Sequence, residues 1–242
     1  MPGSQVSAAP ASLSDRQTNF VLAPQNEAHD NARSDQIIAA ARGAVEREAQ
    51  AVAGLGPQIG ATFVDIVHAI LALPGKIITT GTGTSGIMAE RLAHLLAVSG
   101  TPAFYLPCLD ALHGGMGSIT RGDLVIALSK GGRSTEIIEL TKRLVEREIP
   151  VVAVTEDANS PFALAASSIA HIKTLPADAD PGGLIAMGST LVSGAWGDAL
   201  ASTLMRLRDH AWRDVIDIHP GGIVGLQTKL PAELTLEDGV EA

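Results

Sequence analysis

The chain has 242 residues, 46% apolar and 18% charged, with a formal net charge of −9. That is a globular composition, long enough for one sizeable core with extensions. The acidity, with no basic cluster, argues against nucleic acid as a partner, and the single cysteine, Cys108, excludes intrachain disulfides and cysteine-built zinc sites. No run reaches the roughly 18 apolar residues of a membrane span, so no membrane partner is expected. The N-terminus lacks the basic-then-apolar order of a signal peptide, so the expected location is cytoplasmic. Aromatic residues are 3% of the chain, which leaves Ala, Val, Ile and Leu to build the core.

Residues 1–33 are rich in Ser, Ala, Pro, Gln and Asn without a sustained period, the pattern of a flexible arm. Ser34 is placed to cap a helix, with Asp35 in its first turn. Ile37, Ala41, Val45, Ala49 and Val52 then recur at three- and four-residue steps, an amphipathic helix that Gly54 and Gly56-Pro57 end. A second helix carries Phe63, Ile66, Val67, Ile70 and Leu73 on its buried side and stops at Pro74-Gly75.

From there strands and helices alternate. Strands are predicted at Ile77–Thr80, Ala103–Leu106, Leu124–Ser129, Val151–Thr155 and Ile169–Ile172. Helices are predicted at Ser85–Ser99, Ser134–Glu148, Pro161–Ser167 and Met187–Leu207, with an irregular connection at Asp110–Ile119. Short continuous apolar strands separated by helices predict an α/β fold, a parallel sheet covered on both faces. Ligands on such a sheet bind at the carboxyl ends of the strands. The domain boundaries read as an arm at 1–33, a domain at 34–228 and an acidic, solvated tail at 229–242 with Glu233, Glu237, Asp238 and Glu241.

Two loops carry the chemistry. Lys76–Gly86 reads KIITTGTGTSG: a β-branched run breaks into alternating glycines and hydroxyls and opens a helix. Glycines let the backbone approach a ligand closely, and the helix N-terminus behind them favours an anion, above all a phosphate. Gly81–Gly86 also fits the GxGxxG dinucleotide fingerprint, whose ribose carboxylate belongs about 20 residues on. Pro102–Pro107 offers no carboxylate before Asp110, and the lysine of a nucleotide-triphosphate loop is missing. Ser129–Glu136, SKGGRSTE, is a second loop of the same kind between a strand and a helix. Two such loops suit one phosphate gripped from several sides.

Five stretches together carry a resemblance: GTGTSG at 81–86, SGTPAFYL at 99–106, DALHGGMGSITRGDLVIALS at 110–129, GDALA at 197–201 and HPGG at 219–222. In that order, from about Ile37 to Leu226, the chain resembles the SIS (sugar isomerase) domain. Within it the likeness is to the D-arabinose-5-phosphate isomerases, without the C-terminal CBS pair that many of them carry. The resemblance implies a three-layer α/β/α sandwich of the flavodoxin-like type with a five-stranded parallel sheet. It also implies a dimeric or tetrameric homo-oligomer, a sugar phosphate ligand and no cofactor.

Carried over by position, Gly83, Thr84, Ser85, Ser129, Gly131 and Ser134 fall in the phosphate loops, with Ser189 and Thr190 close by. Glu136 falls on a glutamate implicated in catalysis, His113 and His219 on family histidines, and Asp178 near an acidic position. His219 corresponds to a residue that can enter a neighbouring subunit's site. Thr84 stands where the branch has a lysine, Gly131 replaces a serine, and Gly114-Gly115 replaces Gly-Asp after His113. Lys130 and Arg133 are the cations that could restore the lost charge. His29, His68, His94, His171 and His210 show no ligand spacing, so no metal is expected.

Aldose–ketose isomerisation moves a proton between adjacent carbons through an enediolate, and needs a base with donors for the developing oxyanion. Glu136 is tethered one turn into a phosphate-loop helix, and the imidazole range suits proton transfer by His219 near neutrality. His113 sits in a Gly-rich loop and Asp178 beside Asp180-Pro181-Gly182. The reading is a phosphosugar aldose–ketose isomerase. Its alternative is a non-catalytic module that binds a sugar phosphate for regulation, favoured by Thr84. A DNA-binding regulator and an NAD enzyme rank below both.

Overall fold

The computed structural model describes residues 27–237. Most of the predicted arm, residues 1–26, lies outside them, as do Asp238 and Glu241 of the tail. Residues through Arg42 and residues from Gly43 form separate compact units. Helix α1 spans Glu27–Ala53 and so begins well before the Ser34 cap. No proline or glycine stands between Pro24 and Ser34 to stop a helix. Within the domain, Val45 of its apolar stripe is 65% exposed, whereas Ala51 near its end joins the core.

From Gly43 the domain follows the alternation. Helix α2 is Ala61–Leu71, strand β1 Ile77–Gly81, helix α3 Thr84–Val98 and strand β2 Ala103–Tyr105. A short helix α4, Cys108–Leu112, fills part of the connection read as irregular. Then come β3 Leu124–Leu128, α5 Thr135–Glu146, β4 Val151–Thr155, α6 Pro161–Ala165 and β5 Ser168–His171. Helix α7, Gly188–Leu207, and the unpredicted α8, Trp212–Asp217, complete the domain. Six residues are too short to display a helical period, which is why α8 escaped the sequence reading.

The five strands are all parallel in the order β2-β1-β3-β4-β5. Every residue of β1, β3 and β4 is buried, as continuous apolar strands between two helical layers require. Successive side chains take opposite faces. Ile77 packs with Phe63 of α2, Leu92 of α3 and Trp196 of α7 on one face. Ile78 packs with Ala111 of α4, Ile137 of α5 and Phe162 of α6 on the other. Three layers result, in the flavodoxin-like strand order, whose direction of winding reverses between β1 and β3.

The amino edge of the sheet is held by Asp123, 1% exposed. It accepts from Lys76 N at 3.0 Å, Lys76 Nζ at 3.0 Å and Thr120 N at 2.7 Å. Burial alone would raise its carboxyl, but the Lys76 and Thr120 donors outweigh that and hold it down at about 2. The described part of the tail is not simply solvated. Trp212 Nε1 donates to Ala232 O at 2.9 Å and Arg206 Nε to Thr235 O at 2.9 Å. Glu233 accepts from Trp212 N at 3.1 Å, where a carboxylate complements the start of α8. No single helix among the described residues is long and apolar enough to cross a membrane.

Candidate functional site

The reversal of winding between β1 and β3 separates the connections leaving their carboxyl ends, and a cleft opens there. Its floor is the strand ends, at Leu128, Ser129, Val154 and Thr155; α3 and α7 supply its walls. On the α3 side the chain leaves β1 and turns at Gly83, whose φ of 56° favours glycine. Thr84 and Ser85 then open the helix and line the cleft. First-turn N–H groups have no acceptor within their own helix, so those of Thr84 and Ser85 can serve an anion in the cleft, backed by the helix dipole.

The second loop is fixed by β4 and α6. Lys130 O accepts from Thr155 Oγ1 at 2.9 Å and from Glu156 N at 2.9 Å. Gly132, at φ 60°, presses against Ser160, and its carbonyl accepts from Phe162 N at 3.2 Å. Ser129 and Lys130 thereby face the cleft. Gly131 and Ser134 belong to the same loop but are exposed and outside the lining.

Asp180, 1% exposed, organises the α7 side. Its Oδ1 accepts from Met187 N and Ser189 N, each at 2.9 Å, and its Oδ2 from the Lys130 ammonium. Burial opposes ionisation, yet the Lys130 ammonium and the Ser189 and Met187 N–H groups hold the carboxyl below its usual range. Ser189 and Thr190 line the cleft. The Ser189 hydroxyl is buried close to that carboxylate, and no hydrogen bond to it is well formed among the described residues.

Five candidate residues therefore meet in one cleft: Thr84, Ser85, Ser129, Ser189 and Thr190. The four proton-transfer candidates do not line it. Glu136 is half-buried in the first turn of α5, across the sheet edge. Burial first, and the nearby Glu136 charge second, push the Cys108 thiol up to about 11, which places Glu136 beside α4 and leaves that thiol protonated. His113 is exposed just past α4, near the same end of the sheet. Asp178 is exposed in a turn at Ala177–Ala179, and it is Asp180 that faces inward. Helix α7 runs down to the amino edge, where Arg208 donates to Thr101 Oγ1 at 3.2 Å and Ile70 O at 3.3 Å. The chain enters α8 from that edge, and His219 Nδ1 beyond it lies 2.5 Å from Val215 O.

The sequence reading missed Glu156, Ser193 and Asp180. Glu156 lines the cleft directly after β4 and accepts from Thr174 Oγ1 at 2.5 Å. Its position after a predicted strand was the signal, since carboxyl ends carry the site. Ser193 lies one turn past Ser189 on α7, and that periodicity was legible. Nothing in the sequence distinguishes Asp180 from Asp178. No group of three or more metal-ligating side chains occurs among the described residues.

The cleft offers hydroxyls, a helix N-terminus and one ammonium to a small anion, with Glu156 the one carboxylate in its lining. The SIS domain family model matches residues 70–203. The arabinose 5-phosphate isomerase KdsD of Pseudomonas aeruginosa is 34% identical over 203 residues, covering 84% of this chain and 62% of the relative. The arabinose 5-phosphate isomerase GutQ of Escherichia coli K12 is 33% identical over 192 residues, covering 79% of this chain and 60% of GutQ. The chain thus spans about three fifths of the length of these relatives. An Escherichia coli CFT073 protein solved in complex with arabinose 5-phosphate superposes with a TM-score of 0.72 at 27% identity, covering 77% of this chain and 98% of that one.

Proposed function

This chain belongs to the SIS-domain family, and from that premise we propose that it is a phosphosugar aldose–ketose isomerase with arabinose 5-phosphate as its model substrate. The observation that carries the reading is the cleft at the carboxyl ends of the strands, where Thr84 and Ser85 at a helix N-terminus, Ser129, Lys130 and the buried Ser189 hydroxyl, which makes no well-formed hydrogen bond among the described residues, converge. A buried hydroxyl without a partner is costly unless a ligand completes it. The kinship with arabinose 5-phosphate isomerases and the fold shared with a protein solved with arabinose 5-phosphate support the substrate class.

In this reading the phosphoryl group sits on the N–H groups of Thr84 and Ser85 and the hydroxyls of Ser129 and Ser189. Gly83, Gly131 and Ser134 shape the two loops, and Thr190 flanks Ser189. With the phosphoryl group anchored in the cleft, the sugar extends beyond it along the Ser129–Glu136 loop, where Glu136 moves the proton between C1 and C2 through an enediolate, with His113 and Asp178 as further acid–base groups. His219 acts in the cleft of a neighbouring copy, because its own chain carries it away from its own cleft. A homo-oligomer, a dimer or tetramer, follows. Exposed Leu184, Ile185 and Met187 beside the cleft and Ile223 and Leu226 beyond His219 suit such contacts. Neither nucleic acid nor a membrane is a partner, and the compartment is the cytoplasm, where charged sugar phosphates are retained.

Thr84 favours a second reading, a module that binds a sugar phosphate without turning it over. A panel of tetrose to heptose phosphates separates the two by isomerase assay and thermal shift. Turnover of one member supports the enzyme; a thermal shift without any turnover leaves the binding module.

A further inference from the structure

Among the residues lining the cleft, Lys130 is the one cation. The other cation of its loop points elsewhere: Arg133 is 73% exposed and its Nη2 pairs with Asp157 at 3.0 Å. Lys130 is 38% exposed, so its ammonium reaches the open cleft. An ammonium has three donors, and Asp180 is its one recorded acceptor among the described residues. Two donors remain for a ligand.

Asp180 does not cancel this charge. It accepts from Met187 N and Ser189 N at 2.9 Å each, so it sits at the start of α7, where the helix carries about half a positive charge. Lysine, carboxylate and helix end together leave partial positive charge on this side of the cleft, while the one carboxylate in the lining, Glu156, is held by Thr174 Oγ1. Asp180 also occupies the N–H groups that an incoming anion would otherwise take at α7. The anion is thereby directed to the α3 side, onto Thr84 and Ser85, with the Lys130 ammonium opposite and the Ser189 hydroxyl beside it.

We propose that Lys130 is the cation that binds the phosphoryl group in this cleft, and that Asp180 is a positioning residue that aims it. This deepens the phosphosugar reading and rests on it. Asp180 ties the end of β3 to the start of α7, across 50 residues of sequence, and fixes the ammonium where a flexible side chain would otherwise sample many rotamers.

The test is calorimetric titration of D-arabinose 5-phosphate and of inorganic phosphate into the wild type, Lys130→Met, Lys130→Arg, Asp180→Asn and the Lys130→Met/Asp180→Asn double variant. Lys130→Met is expected to weaken both ligands about tenfold or more, the size of a lost hydrogen bond to a charged group, and Lys130→Arg to recover most of it. Asp180→Asn keeps the acceptor for the two N–H groups and removes the ion pair. It is expected to weaken binding in the wild type and to change nothing further in the Lys130→Met background. Lys130→Gln replaces Lys130→Met should the latter not fold.

Wild-type affinity within twofold in Lys130→Met overturns the role of Lys130 and leaves the phosphosugar reading standing. An equal loss from Asp180→Asn in both backgrounds overturns the positioning role. A wild type that binds neither probe overturns the inference and the phosphosugar reading together.

Discussion

Ser189 donates its backbone N–H to Asp180 Oδ1 at 2.9 Å, and the same residue presents a buried hydroxyl, close to that carboxylate, that makes no well-formed hydrogen bond among the described residues. One residue thus serves the fold through its main chain and leaves its side chain for the cleft. Ser189→Ala removes the second without touching the first. Thermal stability should stay within about 0.5 kcal/mol of wild type or rise, because an unsatisfied buried polar group is lost. Affinity for a sugar phosphate should fall about tenfold to a hundredfold. A loss of stability with unchanged affinity in paired thermal and calorimetric measurements would show the hydroxyl to be structural.

The second loop depends on Gly132. A Cβ there would overlap Ser160 Oγ and lie 2.5 Å from Ser160 Cβ, at a φ of 60°. Gly132→Ala should therefore cost at least about 2 kcal/mol, from left-handed strain and displacement of Ser160, whose Oγ accepts from Ala163 N at the start of α6. For a chain of this size the melting temperature should drop by about 5 °C. Gly131→Ala meets nothing within 4 Å and is the control. Equal melting temperatures for the two variants would contradict this packing.

Glu136→Gln and His219→Ala test the assignment of proton transfer across two copies of the chain. Each alone should lower kcat by a factor of about a hundred to ten thousand with a small change in KM. Refolded together as mixed oligomers, the two inactive variants should regain a fraction of wild-type activity, because some sites then combine an intact glutamate with an intact histidine. Mixed assemblies as inactive as the parents would place both residues in one chain's site or in none.

Asp123 sets an acid limit on stability. Its folded-state value of about 2 lies below the ordinary carboxylate value of 3.8. A carboxyl with a lowered value contributes its stability above the ordinary value, and that contribution fades as pH falls from about 4 to 2. Its size is on the order of 2 kcal/mol at neutral pH. Asp123→Asn should be destabilised at pH 7, and the gap to wild type should narrow towards pH 2 in denaturant titrations. A pH-independent gap would assign the loss to packing alone.

The alternation from Ile77 to Leu207 was legible because each buried strand is a short run rich in apolar and β-branched residues and each loop is marked by glycines and hydroxyls. The cleft was legible in part for the same reason: Thr84, Ser85 and Ser129 directly follow strands. What was not legible depends on contacts between distant segments. Asp178 and Asp180 are chemically identical in sequence, and only the approach of α7 and Lys130 makes one of them buried. The apolar stripe of α1 predicted an amphipathic helix, yet Val45 on it stays exposed, because periodicity says that a helix has an apolar face and not what covers it. Likewise His219 carries a motif, but α7 and α8 decide which edge of the sheet it leaves from.

The central claim is proton transfer between the two carbons next to the sugar's carbonyl end. The direct measurement is isomerisation of D-arabinose 5-phosphate in deuterium oxide, followed by NMR of the recovered aldose and the ketose formed. The account predicts conversion to the 2-ketose phosphate with deuterium appearing at C2 of the aldose, lost in Glu136→Gln. Binding of the sugar phosphate with no conversion and no deuterium at C2, across the tetrose to heptose series, would contradict it.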